Sequence, residues 1–368
     1  MNRSSKWWLF ALITVLTVFG VITVFEASVV ESYQQFGDKL HFVKLQSMWA
    51  AIGFTALGLT SLIPYQFYKK FSQPVMIAAL LLLIAVLIPG IGFEAQGARR
   101  WIDLGFAVLQ PSEFTKLAII MYLSSWLANH QRIGPFVFII GVVLGLIMLQ
   151  PDLGTALIVG GVGLLLYYVS GGSLKRISLT LLVGLVIGGI LIIASPYRLN
   201  RLKTFIDPTS DPLGTSYHIR QVLIAIGSGG ISGQGIGKSR QKYQYLPEAS
   251  TDSIFAIIAE ETGFIGALCV IGALFSLIHH GLRIAKDAHD PFGQLLGTGI
   301  ISWIGLQIII NLSAMVALIP LTGVPLPLIS YGGSSLIVIL AALGIVINIA
   351  RQTEAATHHK HKRLVWSK

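Results

Sequence analysis

Asp252 sits where a polar loop turns into an apolar helix, in the stretch LPEASTDSIFAIIAEETG at 246–263. A carboxylate at the mouth of a membrane helix, beside a long basic loop, is placed to take a proton from a hydroxyl nucleophile, a contribution of about 10²–10⁴ in rate. Ser250, Thr251 and Asp252 are also all good helix caps, and capping alone explains one of them. Glu260 and Glu261 follow about two turns into the helix. Two adjacent acids at that depth cannot both face lipid cheaply, so at least one must face a cavity or a partner, and a proton relay or cation site would use the same pair.

Four further constellations carry charge. Arg99 and Arg100 precede Trp101 in GARRWIDLG at 97–105; paired guanidiniums beside an indole suit a diphosphate and a sugar ring, or simply anchor a loop at the interface. In QPSEFTK at 110–116, Glu113 and Lys116 are three apart on one helix face and can pair. Lys116 lies about one turn inside an apolar run, where a charge is costly unless paired or functional. Asp152, in QPDLG at 150–154, is a turn or capping residue, a partner for Lys116, or a metal ligand. The segment GSGGISGQGIGKS at 227–239 imitates a phosphate loop, but Ser232 stands where the pattern needs glycine and no strand precedes it. It is a flexible hinge, or a backbone-amide nest for a diphosphate backed by Lys238 and Arg240, with Lys242 a further substrate-binding candidate.

Everything that positions these residues is membrane helix. Of 368 residues, 54% are hydrophobic and only 11% charged, with mean hydropathy +0.75; a soluble domain carries about 25% charged residues. Apolar runs of about 20 residues recur, which fits an all-α polytopic integral membrane protein and not a barrel. Ten spans are expected, at about 7–27, 45–63, 73–90, 112–128, 134–150, 153–169, 177–195, 253–278, 295–319 and 332–350, in a single domain covering 1–368. The first is read as an uncleaved span, since no small-x-small site follows it. Cys269 has no partner for a disulfide within the chain.

With the termini cytoplasmic, fourteen lysines and arginines fall on their side, against four in the short loops opposite. The positive-inside rule therefore predicts cytoplasmic termini. The long loop at about 196–252, between spans seven and eight, is then extracytoplasmic; it holds seven basic and four acidic residues and an amphipathic segment at 215–226. A breaker-rich stretch at 320–335, which includes Ser330, is irregular backbone that must be buried in protein or line a cavity. The tail at 351–368 is basic; its His358, His359 and His361 could bind metal, or simply lie near anionic headgroups.

Together these pieces resemble the SEDS family of FtsW, RodA and SpoVE proteins. The match is fullest over NLSAMVALIPLTGVPLPLISYGGSS at 311–335, followed by Asn348 and Arg351, with the motifs at 97–101, 110–113, 150–154 and 246–261 in family order. The resemblance implies a bacterial inner-membrane peptidoglycan glycosyltransferase that polymerises lipid II outside the membrane and releases undecaprenyl pyrophosphate. It implies Asp252 as the catalytic residue and Trp101 as functionally important, with Glu113, Lys116, Asp152, Glu260 and Ser330 in support. It also suggests a divalent cation, Mg²⁺ or Mn²⁺, with no readable ligand set and no organic cofactor. The partners implied are a class B penicillin-binding protein and other divisome or elongasome membrane proteins, with no nucleic acid. QKYQYLPE at 241–248 and FGD at 36–38 look more like the division branch. The sequence departs from the family at Ser250, Ser253, Ala317 and Leu328. A lipid II flippase and a non-catalytic scaffold are the rival readings.

Overall fold

A computed structural model describes residues 4–366, apart from 96, 97, 104, 106, 107, 208–215 and 244. Gly97 and Thr215 therefore lie outside the described residues, as do the side chains of His358, His359 and His361. Each of the ten expected spans coincides with a helix: α1 (Ser4–Phe36), α2 (His41–Leu62), α3 (Tyr65–Ala85), α4 (Pro111–Leu127), α5 (Ile133–Leu149), α6 (Leu153–Val169), α7 (Leu174–Ile193), α10 (Ile254–Lys286), α11 (Pro291–Met315) and α12 (Gly333–Trp366). Seven of these are long and apolar enough to cross a membrane by length and composition. The other three, α4, α5 and α6, have 17 residues each, about 25 Å of helix, at the lower limit for a span. The protein is a multi-pass membrane protein.

The helices overrun the apolar windows where polar residues continue the helix beyond lipid, as at both ends of α1 and the far end of α10. Two shorter helices, α8 (Pro196–Ile206) and α9 (Tyr217–Gly229), occupy the long loop. The second is the expected amphipathic segment, and it buries Ile219, Val222 and Ala225. Three short strands were not foreseen: β1 (Gly92–Ala95), β2 (Ala98–Asp103) and β3 (Val108–Leu109) form an antiparallel sheet in the order β1-β2-β3.

The core gathers on α11, which packs against α4, α6 and α10 and buries Trp303 completely. The closest helix pair is α2 with α12. Gly344 lets them touch, since a Cβ there would stand 2.4 Å from the Leu57 carbonyl oxygen, and Thr60 Oγ1 donates to Ala341 O across the crossing (2.8 Å). Lys6 pairs with Glu354, so the start of α1 and the end of α12 lie at one end of the bundle. Asn348 and Arg351 also act there. Asn348 Oδ1 accepts from Tyr65 N (3.0 Å), and Asn348 Nδ2 and Arg351 Nη1 both donate to Ser61 O (2.7 and 3.1 Å), clamping the α2–α3 turn.

The glycine-rich loop has a structural task. At Gly263 (φ 67°) α10 breaks, which releases backbone groups on both sides of the break. The loop supplies their partners. Gln234 N and Gly235 N donate to Glu260 O and Glu261 O (2.9 and 3.0 Å), while Phe264 N and Ile265 N donate to Gly230 O and Ile231 O (2.9 and 3.2 Å). Backbone meets backbone so closely that a Cβ on Gly233 (φ 80°) would lie 2.1 Å from Glu261 O. Gly233→Ala or Gly263→Ala therefore combines left-handed strain of about 1–3 kcal/mol with a backbone clash. Each should lower the thermal midpoint of the purified protein by several degrees. Gly58→Ala, in the open on α2, should leave it unchanged or raise it.

Candidate active site

The irregular segment at 316–332 is tied to the mouth of α10 by a short series of hydrogen bonds. Ser330 Oγ donates to Thr251 O (2.6 Å) and accepts from Leu326 N (2.8 Å), and Tyr331 N donates to Ser250 O (2.9 Å). Asn311 Nδ2, on α11, donates to both Asp252 O and Val324 O (2.8 Å each). One turn earlier, Gln307 Nε2 donates to Pro325 O (3.0 Å), and Gln307 Oε1 accepts from Lys116 Nζ (3.2 Å) and Trp303 Nε1 (2.9 Å). Lys116 completes its shell with Glu113 (2.7 Å) and with the Trp303 ring 5.2 Å away. The spacing 303, 307, 311 aligns one polar stripe on α11. That stripe holds the loop, and the loop holds the backbone of Asp252.

The Asp252 carboxylate itself takes part in no hydrogen bond or ion pair among the described residues, and Ser253, not Asp252, stands at the N-cap position of α10, where its side chain makes no capping hydrogen bond. Gly323 (φ 73°) leaves space beside it: a Cβ there would stand 3.4 Å from Asp252 Oδ2. Asp252 lies outside the spans, and its carboxyl is pushed from 3.8 up to about 7. Burial is the first cause and the Glu248 charge the second; Arg201 pulls the other way, Asp152 adds to the rise, and Arg100 opposes it. Next to it, His218 Nε2 and Ser253 Oγ share a hydrogen bond of 2.7 Å. Burial pulls His218 down to about 4, so a neutral imidazole braces the helix start.

Three elements bring the charged groups to this carboxylate. On β2, alternation puts Arg100 on the face opposite Arg99 and Trp101. Arg100 donates to Gln150 O (2.9 Å) and Pro151 O (2.6 Å), whereas Arg99 pairs with Glu94 across the hairpin (3.1 Å). Asp152 caps α6, its two oxygens accepting from Thr155 N (3.0 Å) and Thr155 Oγ1 (2.8 Å). The start of α6 presses on the loop: a Cβ on Gly154 would stand 2.3 Å from Val324 Cγ2. Arg201, on α8, donates to Leu321 O (2.9 Å).

The remaining basic candidates belong to the plug of the broken helix. Lys242 is buried and bonded to Glu26 (3.2 Å), Gly237 O (2.7 Å) and Glu261 (3.5 Å). Glu260 accepts from Ser239 Oγ (2.5 Å) and Arg240 N (3.0 Å), and Glu261 from Ser239 N (3.3 Å). Both acids thus face the loop and not lipid. Lys238 and Arg240 side chains are exposed. The structure therefore gathers Asp252, Arg100, Asp152 and Ser330, with Glu113 and Lys116 one layer behind. Arg99, Trp101, Lys238, Arg240 and Lys242 make none of the contacts that build it. Sequence reasoning missed Arg201, Glu248, His218, Asn311 and Gln307. The four-residue spacing of Trp303, Gln307 and Asn311 was the one readable signal.

A polytopic helical bundle with a broken helix, and one uncommitted acid at the end opposite the start of α1 and the end of α12, defines a membrane protein with a candidate catalytic carboxylate. The family model of cell cycle proteins FtsW, RodA and SpoVE matches residues 6–355, and the chain belongs to that family. It is 40% identical over 350 residues to the probable peptidoglycan glycosyltransferase FtsW of Trichlorobacter lovleyi, covering 93% of this chain and 92% of that one. It is 40% identical over 360 residues to the stage V sporulation protein E of Bacillus subtilis, covering 95% and 98%. Among solved structures, a chain from a peptidoglycan synthase complex that coordinates polymerization and crosslinking superposes with TM-score 0.78 at 28% identity, over 94% of this chain and 98% of the other. The rod shape determining protein RodA of Thermus thermophilus gives 0.70 at 29%, over 94% and 97%.

The raised carboxyl has a stability signature. Between pH 4 and 7 the unfolded aspartate is ionised while the folded one keeps its proton, so the native state loses stability as pH rises through that window. Asp252→Asn should therefore melt at a higher temperature than wild type at pH 8, with the gap closing towards pH 4. Equal midpoints at pH 8 would show a carboxyl that is not desolvated.

Proposed function

We propose that this chain is a peptidoglycan glycosyltransferase that uses Asp252 as the general base to polymerise lipid II. The observation that carries the reading is that Asp252 is fixed through its backbone on both sides while its carboxylate is left uncommitted. The acceptor's 4-hydroxyl loses its proton to Asp252 as its oxygen bonds to C1 of the donor sugar. The bond from C1 to the diphosphate breaks, and the lipid diphosphate leaves with the electron pair. A base with its pKa near neutrality is well matched to this work. In this reading Arg100 and Arg201, whose charges act on Asp252, would meet the leaving diphosphate as it gathers charge, and a fixed cation there is worth up to about 10²–10³ in kcat.

Among the described residues no three acids, histidines or cysteines form a closed metal site. The donors present are hard carboxylate oxygens, with the buried Thr322 hydroxyl unpartnered beside them. That set fits a Mg²⁺ or Mn²⁺ ion shared with substrate oxygens, held from this chain by Asp152. When bound, such an ion neutralises charge on the diphosphate. In this proposal the site faces the outside of the cytoplasmic membrane with the termini in the cytoplasm. A class B penicillin-binding protein crosslinks the strands, in line with the synthase complex to which the chain is similar.

The test is polymerisation of labelled lipid II by the purified protein with and without its partner, with moenomycin silencing unrelated polymerases. Wild type should make polymer, and a folded Asp252→Asn variant should lose at least about 10²-fold. Equal product from both would remove Asp252 from catalysis. No product from either, with an active partner, would favour the flippase or scaffold reading. Two further outcomes are expected in the same assay. The rate should rise with pH through about 7 and then level, because the base acts ionised; a flat profile would contradict this. Arg201→Ala should lower kcat at least about tenfold.

A further inference from the structure

At the end of the bundle away from Asp252, a cavity of about 390 Å³ opens between α2, α3, α4 and α12. Its wall is apolar, formed by Phe67, Phe71 and Val75 of α3 with Leu117, Met121 and Ile345 opposite. Two features of α3 shape it. Pro74 lies inside the helix and removes the hydrogen bond to the Lys70 carbonyl, which loosens α3 beside the cavity. Phe67 to Val75 run about 12 Å along the helix axis, close to the roughly 15 Å of hydrocarbon in one leaflet. A helix about 10 Å across does not fit.

The mouth, at Ile63 and Phe67, is basic. Arg351 Nη1 donates to Ser61 O (3.1 Å), which fixes the guanidinium beside Ile63 with the side chain exposed. Lys69 and Lys70 follow Phe67 on α3, both exposed, with Lys69 6.0 Å from the Phe292 ring. None of the three makes an ion pair among the described residues. Two acids at this end are occupied: Glu354 pairs with Lys6, and Asp290 accepts from the Tyr65 hydroxyl and from Gly293 N; Asp287 is exposed at the end of α10. An apolar slot below three cations that make no ion pair among the described residues has the chemistry of an anionic lipid.

We propose that this cavity is a specific site for an anionic phospholipid, with one acyl chain between α3 and α12 and the headgroup on Arg351, Lys69 and Lys70. The headgroup end lies at the opposite end of the bundle from the Asp252 carboxylate, while the slot runs along α4 as far as Phe114, beside Glu113. The test is native mass spectrometry of the full chain released from nanodiscs of equal phosphatidylglycerol and phosphatidylcholine content. Wild type should retain one phosphatidylglycerol in preference to phosphatidylcholine. The double variant Lys69→Gln, Lys70→Gln, and separately Arg351→Gln, should lose that preference by about fivefold for each charge removed. Filling the slot with Val75→Phe or, independently, Leu117→Trp should abolish retention while the charge variants still hold lipid without selectivity. Equal retention of the two lipids by wild type would overturn the proposal, as would unchanged retention in both slot-filling variants. Displacement of phosphatidylglycerol by a polyprenyl phosphate, and not by excess phosphatidylglycerol, would assign the slot to the substrate's chain and overturn it too.

Discussion

Backbone that leaves its helix inside a bilayer finds no water to bond to, so its amides and carbonyls must find partners in the protein. Two stretches of irregular backbone lie against α10. One is the break at Gly263, filled by the glycine-rich loop through four main-chain hydrogen bonds. The other is the segment at 316–332, held by Gln307, Asn311 and Ser330. The half-helix between Asp252 and Gly263 is thus gripped at both ends by irregular backbone, and its position follows from satisfying that backbone.

The same economy decides which acid is free to react. Glu113 neutralises Lys116, Asp152 caps α6, Glu260 and Glu261 hold the plug, and the Glu248 carboxylate accepts from Thr251 Oγ1 (2.7 Å). Asp252 gives its carbonyl to Asn311 and keeps its carboxylate out of every structural bond among the described residues. Burial then makes ionisation costly, which is unfavourable for folding at neutral pH and favourable for a base. A site that opposes stability and is held by a rigid surround is what chemistry at a poor nucleophile requires.

The ten spans were legible because length and apolarity are local properties. So was the pairing of Glu113 with Lys116, three residues apart on one face. Other features rest on contacts distant in sequence. The glycines at 227–237 read as a hinge or a phosphate nest, because the broken helix they fill lies about thirty residues further on. Arg99 and Arg100 read alike until the strand alternation of β2 separated them. Lys242 looked available for an anion, and the acids that bind it, Glu26 and Glu261, come from two other helices. Arg201 was hidden in a loop with no periodicity to assign its direction.

The central claim is that one carboxylate, fixed by its backbone and poorly hydrated, titrates near neutrality. Infrared difference spectroscopy of the reconstituted protein, taken across a pH series with Asp252→Asn as the blank, observes that group directly. A protonated-carboxyl band that belongs to Asp252 and disappears with a midpoint near pH 7 is the predicted result. A midpoint near pH 4, the value of a hydrated aspartate, or lower still, as for an ion-paired one, would contradict the account.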